Sequence, residues 1–193
     1  MPETENKLSE FCPANRAQWR EWLEANHATA PRVWLVYWKK ATGKPSVTYD
    51  EVVEECLCFG WIDSKAQPVD AERYRQMITP RKAKSVWSKV NKERIERLLA
   101  SGLMTPAGMQ KIEAAIADGS WTALDEVEAL VIPPDLQAAF DANPPAAENF
   151  AAFSRTSKRN TLQWIAGAKR DETRQKRIQE TAELAARNIR ARQ

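Results

Sequence analysis

A short run of apolar residues, VWLVYW at Val33–Trp38, constrains the fold more than any other feature of the sequence. In a strand, successive side chains point to opposite faces of the sheet. Because all the positions in this run are apolar, both faces must be buried. Pro31 ends the segment before the run, and Gly43-Lys44-Pro45 marks a turn after it. The sequence therefore predicts a central strand that is covered on both sides.

The size and the cysteine content are typical of a soluble protein from a reducing compartment. A chain of 193 residues can form one compact domain with an appendage, or two small domains. The sequence has an odd number of cysteines without metal-ligand spacing, namely Cys12, Cys56 and Cys58. No disulfide framework is therefore expected. The first residues lack the pattern of a signal peptide, and no apolar run approaches the ~20 residues that a membrane span needs. We expect a cytoplasmic protein without membrane insertion.

Capping signals and alternation predict the elements that follow the central strand. Thr48 and Glu51 have the spacing of a capping box, in which each side chain accepts a hydrogen bond from the other residue's backbone amide. Gly60 is a natural end for the helix that they begin. Beyond it, Trp61–Val69 and Glu72–Pro80 are predicted as the two arms of a hairpin.

The predicted fold class is α+β. A small antiparallel sheet of about three strands is expected from Val33–Lys39, Trp61–Val69 and Arg73–Thr79. Helices cover this sheet, and a helical C-terminal module follows. The acidic segment Trp121–Pro134 ends in a pair of prolines and is interpreted as a linker. The expected organisation is a mobile N-terminal tail at residues 1–14, an α+β domain at 15–130 and the helical module at 131–193.

The number of residues in the hairpin loop decides which side chains share a face of the sheet. With an odd loop, Asp63 shares a face with Arg75; with an even loop, it faces Ile78 instead. We favour the odd loop because it keeps the charged residues together.

The densest unusual chemistry lies between Arg73 and Arg97, where nine Lys and Arg residues accompany two Glu. An Arg guanidinium suits carboxylate or phosphate, and a capped helix start adds backbone amides and partial positive charge. Two tryptophans could wall such a pocket or stack on a ring. The candidate ligand-binding residues are Trp61, Asp63, Arg73, Arg75, Thr79, Arg81, Trp87, Ser88 and Asn91.

A purely structural role for the same residues is the alternative, and it is slightly favoured because structural ion pairs are common. In that case Arg75 or Arg81 pairs with Asp63 or with the acidic linker, and the tryptophans lie in the core. No other site chemistry is predicted: the sequence has no nucleotide-binding loop and no nucleophile motif, and His27 is its one histidine. We therefore expect no catalytic residue, no metal and no cofactor.

Specific nucleic-acid binding is not expected. The C-terminal helices are rich in Lys and Arg, but Asp171, Glu172, Glu180 and Glu183 are mixed among them, as on a solvated face. No recognised nucleic-acid motif is present.

Several motifs resemble one known family. They are FGWID at Phe59–Asp63, TPR at Thr79–Arg81 and SxWSKxN at Ser85–Asn91, together with the run that begins PPDLQAAFDANPPAAENF at Pro133. In this order and over roughly residues 15–189, the chain resembles the YdeI/OmpD-associated family, also called bacteriocin-protection proteins. The resemblance implies a link to tolerance of bacteriocins or antimicrobial peptides and to an outer-membrane porin. It implies no reaction, cofactor or catalytic residue.

The residues and the resemblance together predict a non-catalytic bacterial stress or envelope-protection accessory protein. It would act by binding a small anionic ligand or a protein partner. One alternative is an enzyme that acts on a small anionic substrate through the region of Asp63, Arg75 and Arg81. A second alternative is a nucleic-acid binding protein.

Overall fold

A five-stranded sheet organises the N-terminal part of the chain in the computed structural model, which describes residues 10–191. The strands are β1 (Glu10–Phe11), β2 (Val33–Trp38), β3 (Trp61–Asp63), β4 (Gln67–Pro68) and β5 (Arg73–Pro80). The sheet order is β1-β2-β5-β3, and β4 also pairs with β5. The helices of this part are α1 (Arg16–Asn26), α2 (Tyr49–Cys58), α3 (Lys89–Ala100) and α4 (Pro106–Ala117), with a 3₁₀ turn at Lys40–Thr42.

The α+β class is confirmed, and the sheet is larger than predicted. β2, β3, β4 and β5 pair in antiparallel fashion, whereas β1 pairs with β2 in parallel. β1 and β4 have two residues each, too few to show an alternating pattern in sequence. Residues 1–9 of the predicted tail lie outside the described residues. Its described part, residues 10–14, includes β1 and ends just before Asn15, whose side chain caps α1.

β2 is buried on both faces, as its apolar run predicts. Val33, Leu35 and Tyr37 point into the core with the helices. On the opposite face, cationic side chains lie over two indole rings. The Arg75 guanidinium lies 4.1 Å from the centroid of the Trp34 ring, and Lys44 Nζ lies 3.9 Å from that of Trp38. Long basic side chains can therefore bury indole surface while their charged ends stay near water.

The prediction that Asp63 shares a face of the sheet with Arg75 is wrong. Asp63 pairs with Ile78 and so shares its face, whereas Gln67 pairs with Arg75. From Asp63 to Gln67 the first arm advances by four residues, whereas the paired residues of β5, Ile78 and Arg75, are three apart. This extra residue is a bulge between β3 and β4. A bulge reverses the parity within one arm, so no single loop length describes the hairpin.

Helix α2 begins with the predicted capping box. The Thr48 side chain accepts a hydrogen bond from the Glu51 amide, and Glu51 accepts one from the Thr48 amide at 2.8 Å. A buried acid ties this helix to α1. Glu55 is 1% exposed and receives Arg16 Nε at 2.6 Å and Arg20 Nη1 at 2.8 Å. Its charge is therefore neutralised twice within the core.

Helix α4 approaches the C-terminal end of α2 closely at Gly108. The Thr105 hydroxyl caps α4 and donates to the carbonyl oxygen of Cys58 at 2.6 Å. A Cβ on Gly108 would overlap that carbonyl oxygen and would lie 2.7 Å from the Leu57 carbonyl oxygen. Since both obstacles are backbone atoms, neither can move aside easily.

Gly108→Ala should therefore destabilise the protein by about 1–3 kcal/mol through overpacking. Ala is otherwise the better helix former by about 1 kcal/mol, so helix propensity alone predicts the opposite sign. Chemical denaturation measures the effect, and Gln110→Ala on the exposed side of α4 is the control, expected within about 0.5 kcal/mol of the parent. A Gly108→Ala variant more stable than the parent would contradict the close contact.

The described residues from Ala123 onward form a separate helical unit. Its helices are α5 (Asp125–Glu128), α6 (Pro134–Asp141), α7 (Ala146–Ala152), α8 (Arg155–Ala166) and α9 (Asp171–Ala186). The predicted boundary was at residue 130, but the division falls after Thr122. The reason is that Leu124 and Val127, within the predicted linker, pack in the core of the helical unit.

An ion pair joins α6 to α9 in this unit. Arg174 donates from Nε and Nη2 to the two carboxylate oxygens of Asp135, at 2.7 and 2.9 Å. The guanidinium hydrogen bonds hold the pKa of Asp135 below its usual value. The pair therefore stabilises the fold above the pKa of Asp135 in the unfolded chain, and this contribution is lost as the pH falls through the lower pKa in the folded state.

Asp135→Asn should cost about 0.5–1 kcal/mol at pH 7, a value reduced by solvent screening of the partly exposed pair. The difference between variant and parent should shrink as the pH falls below the folded pKa, where Asp135 is protonated in both states. Urea denaturation at several pH values measures this. Asp141→Asn, which removes an exposed acid bonded to the neutral Gln137, is the control and should stay within about 0.5 kcal/mol of the parent at pH 7. A cost independent of pH would exclude the ion pair as its source.

Candidate functional site

Arg81 follows the last residue of β5, and its position is set by the chain on both sides. Its amide donates to the carbonyl oxygen of Gly60 at 2.9 Å, at the point where α2 leads into β3. Gly60 has a φ of +71°, and a Cβ there would lie 2.6 Å from Cγ of Lys111. The glycine therefore serves both the turn and the close passage of Lys111.

The Arg81 side chain is buried, and no carboxylate among residues 10–191 forms an ion pair with it. The residue is 3% exposed, and its guanidinium carbon lies 3.6 Å from the centroid of the buried Trp87 ring. Nη2 donates to the carbonyl oxygen of Val86 at 2.6 Å. Nε and Nη1 are buried and have no hydrogen-bond partner among residues 10–191. Burial lowers the pKa of Arg81 to about 10, although the field of Asp63 acts in the opposite direction.

Arg81 lines a cavity of about 70 Å³. One water needs about 10–15 Å³ by the same measure, so the space suits several waters or one small oxyanion. The charged residues at its wall are Arg81, Lys82, Lys84, Lys111 and Asp118. Four cations and one carboxylate give the cavity a strongly positive potential.

The loop that carries Lys82 and Lys84 is held in place by Asp118. Its carboxylate oxygens accept the amide of Lys84 at 3.2 Å and the amide of Ser120 at 2.9 Å. Lys84 has a φ of +59°, a conformation that is uncommon outside glycine. Backbone amides thus engage Asp118 and hold the loop of Lys82 and Lys84 at the cavity wall, which Lys111 reaches from α4.

The other predicted site residues lie elsewhere. Trp61 is in the core, where Nε1 donates to the carbonyl oxygen of His27 at 3.2 Å. Thr79 pairs with Ile62 within the sheet. Ser88 caps α3 by accepting the amide of Asn91 at 3.3 Å.

The remaining three charged candidates are also separated from Arg81. Arg73 pairs with Asp70 at 2.8 Å, and Arg75 pairs with Glu10 at 2.9 Å on the face of the sheet that carries Trp34. Asp63 lines a different, open concavity. The structure therefore brings together Arg81 and Trp87 of the predicted set. It does not gather Asp63, Arg75 and Arg81 around one cavity, as an enzyme using all three would require.

Sequence reasoning missed Lys111 and Asp118, which reach the cavity from α4 and the turn after it. The sequence does mark Lys111, because it is the last basic residue before the acidic stretch of residues 112–154, and it could have been added to the candidate residues on that ground. Among the described residues, no group of three or more His, Cys, Asp or Glu is arranged to hold a metal ion. Within the same residues, no helix combines the length and apolar character of a membrane span.

Fold and site together define a protein of two parts, an α+β unit with a basic cavity and a helical unit. The chain belongs to the family described as Domain of unknown function (DUF8412), whose sequence profile matches residues 11–111, just over half of its length. Its C-terminal part is an OmdA domain, since the profile described as Bacteriocin-protection, YdeI or OmpD-Associated matches residues 129–188. The predicted family resemblance is thereby confirmed for the helical unit. Neither the curated proteins nor the solved structures contain a significant match to the chain.

The unpaired charge of Arg81 leads to a stability prediction. Arg81→Met keeps a long side chain on Trp87 but removes the desolvated cation, so the variant should be as stable as the parent or more stable by about 1–2 kcal/mol. Chemical denaturation measures the difference. Arg97→Met, at a residue whose side chain is 64% exposed, is the control and should stay within about 0.5 kcal/mol of the parent. A loss of more than about 2 kcal/mol in Arg81→Met would identify Arg81 as a structural residue.

Proposed function

We propose that this chain is a non-catalytic accessory protein of bacterial stress or envelope protection, and that it binds a small anion in the Arg81 cavity. The anion is a carboxylate or phosphate group, free or carried by a larger ligand. The observation that carries the proposal is the buried guanidinium with two unpaired nitrogens.

The energetic argument starts from the cost of that guanidinium. Removing a cation from water costs several kcal/mol unless a partner compensates it. Stacking on Trp87 and one hydrogen bond to Val86 compensate it in part. An oxyanion in the cavity would supply both the missing counter-charge and acceptors for the remaining N–H groups. It would gain further from the lysines at the wall, which reduce the cost of transferring an anion from water.

The family matches support the broader role. The description of the C-terminal domain names bacteriocin protection, and the description of the N-terminal family names no reaction. We further propose a reducing compartment, such as the cytoplasm, because all three cysteines are free thiols.

A thermal-shift titration tests the proposal with sodium phosphate and sodium acetate as probes, each against sodium chloride at the same ionic strength. A ligand at ten times its Kd stabilises by about 1.4 kcal/mol, or about 3–6 °C for a chain of this size. We expect phosphate or acetate to raise Tm beyond the chloride reference. Arg81→Met should remove that excess, and Arg97→Met should retain it.

Two results would overturn the proposal. One is a Tm that follows ionic strength alone, with no excess for phosphate or acetate over chloride. The other is an excess that persists in Arg81→Met, because binding would then occur at surface lysines and not at the buried guanidinium.

A further inference from the structure

The bulge between β3 and β4 borders an open concavity of about 550 Å³ in the same unit. Its wall includes Tyr49 at the start of α2, Asp63 at the end of β3, Lys65 in the bulge, and Tyr74 and Gln76 on β5. Bulges at sheet edges commonly redirect a side chain next to a binding site. Here the bulge follows directly after Asp63.

The Asp63 carboxylate is held by a chain of hydrogen bonds that reaches into the core. The Tyr49 hydroxyl donates to Oδ2 at 3.1 Å, and Gln76 Nε2 donates to the same oxygen at 3.2 Å. Gln76 is 4% exposed and is itself fixed, because Nε2 also donates to the carbonyl oxygen of Ser64 and Oε1 accepts the Tyr37 hydroxyl at 2.8 Å. A buried amide with all these bonds cannot turn without breaking several of them. The carboxylate is therefore oriented before any ligand arrives.

Both fixed hydrogen bonds go to one oxygen of Asp63. Oδ1 accepts none from the described residues, and it is not a buried atom. It is an available acceptor with negative charge at the wall of the concavity. No Lys or Arg side chain forms an ion pair with Asp63 among residues 10–191.

Two tyrosine rings complete the surroundings. Tyr49 is 45% exposed, and Tyr74 stacks on Tyr37 with centroids 4.6 Å apart and planes 2° from parallel. Aromatic faces attract organic cations through their quadrupoles. Burial first and Asp63 second raise the pKa of Tyr49, so its hydroxyl remains a protonated donor at neutral pH.

We propose that this concavity is a binding site for an organic ammonium ion, which donates to Oδ1 of Asp63 and lies against the rings of Tyr49 and Tyr74. Lys65 is the one basic residue at its wall and is exposed, so it opposes a monovalent cation through a screened like-charge interaction. The site is spatially distinct from the Arg81 cavity, since it shares no wall residue with it and takes a ligand of opposite charge.

The test is a titration of the full chain with n-butylammonium chloride, followed by backbone amide chemical shifts of residues 64–66 in two-dimensional NMR. Sodium chloride at the same ionic strength is the reference. We expect saturable shifts in the bulge beyond those that sodium chloride produces. Asp63→Asn should weaken binding by about tenfold or more, because it removes the charge-assisted hydrogen bond.

Three further variants separate binding from folding. Asp70→Asn removes an exposed acid that is paired with Arg73 and should leave the affinity unchanged. Tyr49→Phe keeps the ring, so binding should survive within about threefold. Lys65→Gln removes the opposing charge and should raise the affinity by about two- to threefold.

The same spectra report whether each variant is folded, so a lost response can be assigned. Shifts no larger than those with sodium chloride would overturn the proposal. So would an affinity that is unchanged in a folded Asp63→Asn variant, or an affinity that falls in Lys65→Gln.

Discussion

The antiparallel pairing of β5 with its neighbours is the constraint on which the N-terminal unit depends. β5 runs against β2 along six residue pairs and against β3 and β4 on its other side. Its end is tied to the exit of α2, because the next residue, Arg81, donates its amide to Gly60. The strand therefore delivers the Arg81 side chain into the interior. A shift in its register would move that cation to the opposite face.

Two buried charges in this unit differ in how far neighbouring groups compensate them. Glu55 has almost no exposed surface, and two arginines from α1 neutralise it. Arg81 is nearly as buried, yet it has an indole and one carbonyl oxygen as partners. Burial of an uncompensated cation lowers the stability of a fold that is only marginally stable. Among residues 10–191 no carboxylate pairs with Arg81 as the two arginines pair with Glu55, and this contrast supports the proposal that an anion binds there.

Local patterns in the sequence predict the elements, whereas the site depends on contacts between distant segments. The apolar run at β2 and the capping box at Thr48 each depend on residues that are close together in sequence, so they can be recognised without knowledge of the fold. The face of Asp63 was mispredicted because a bulge changes parity within one arm. The isolation of Arg81 could not be predicted either. It involves Asp118, some forty residues further on, which lines the same cavity but accepts the Lys84 and Ser120 amides, and no carboxylate among residues 10–191 bonds to the guanidinium.

The two proposed sites are linked electrostatically, although they share no wall residue. The field of Asp63 favours the charged form of Arg81. An ammonium ion on Asp63 would cancel part of that field and leave the buried guanidinium less well compensated. An anion in the Arg81 cavity would then gain more from binding. Linkage requires the reverse effect to be of equal size, so each ligand should strengthen the binding of the other.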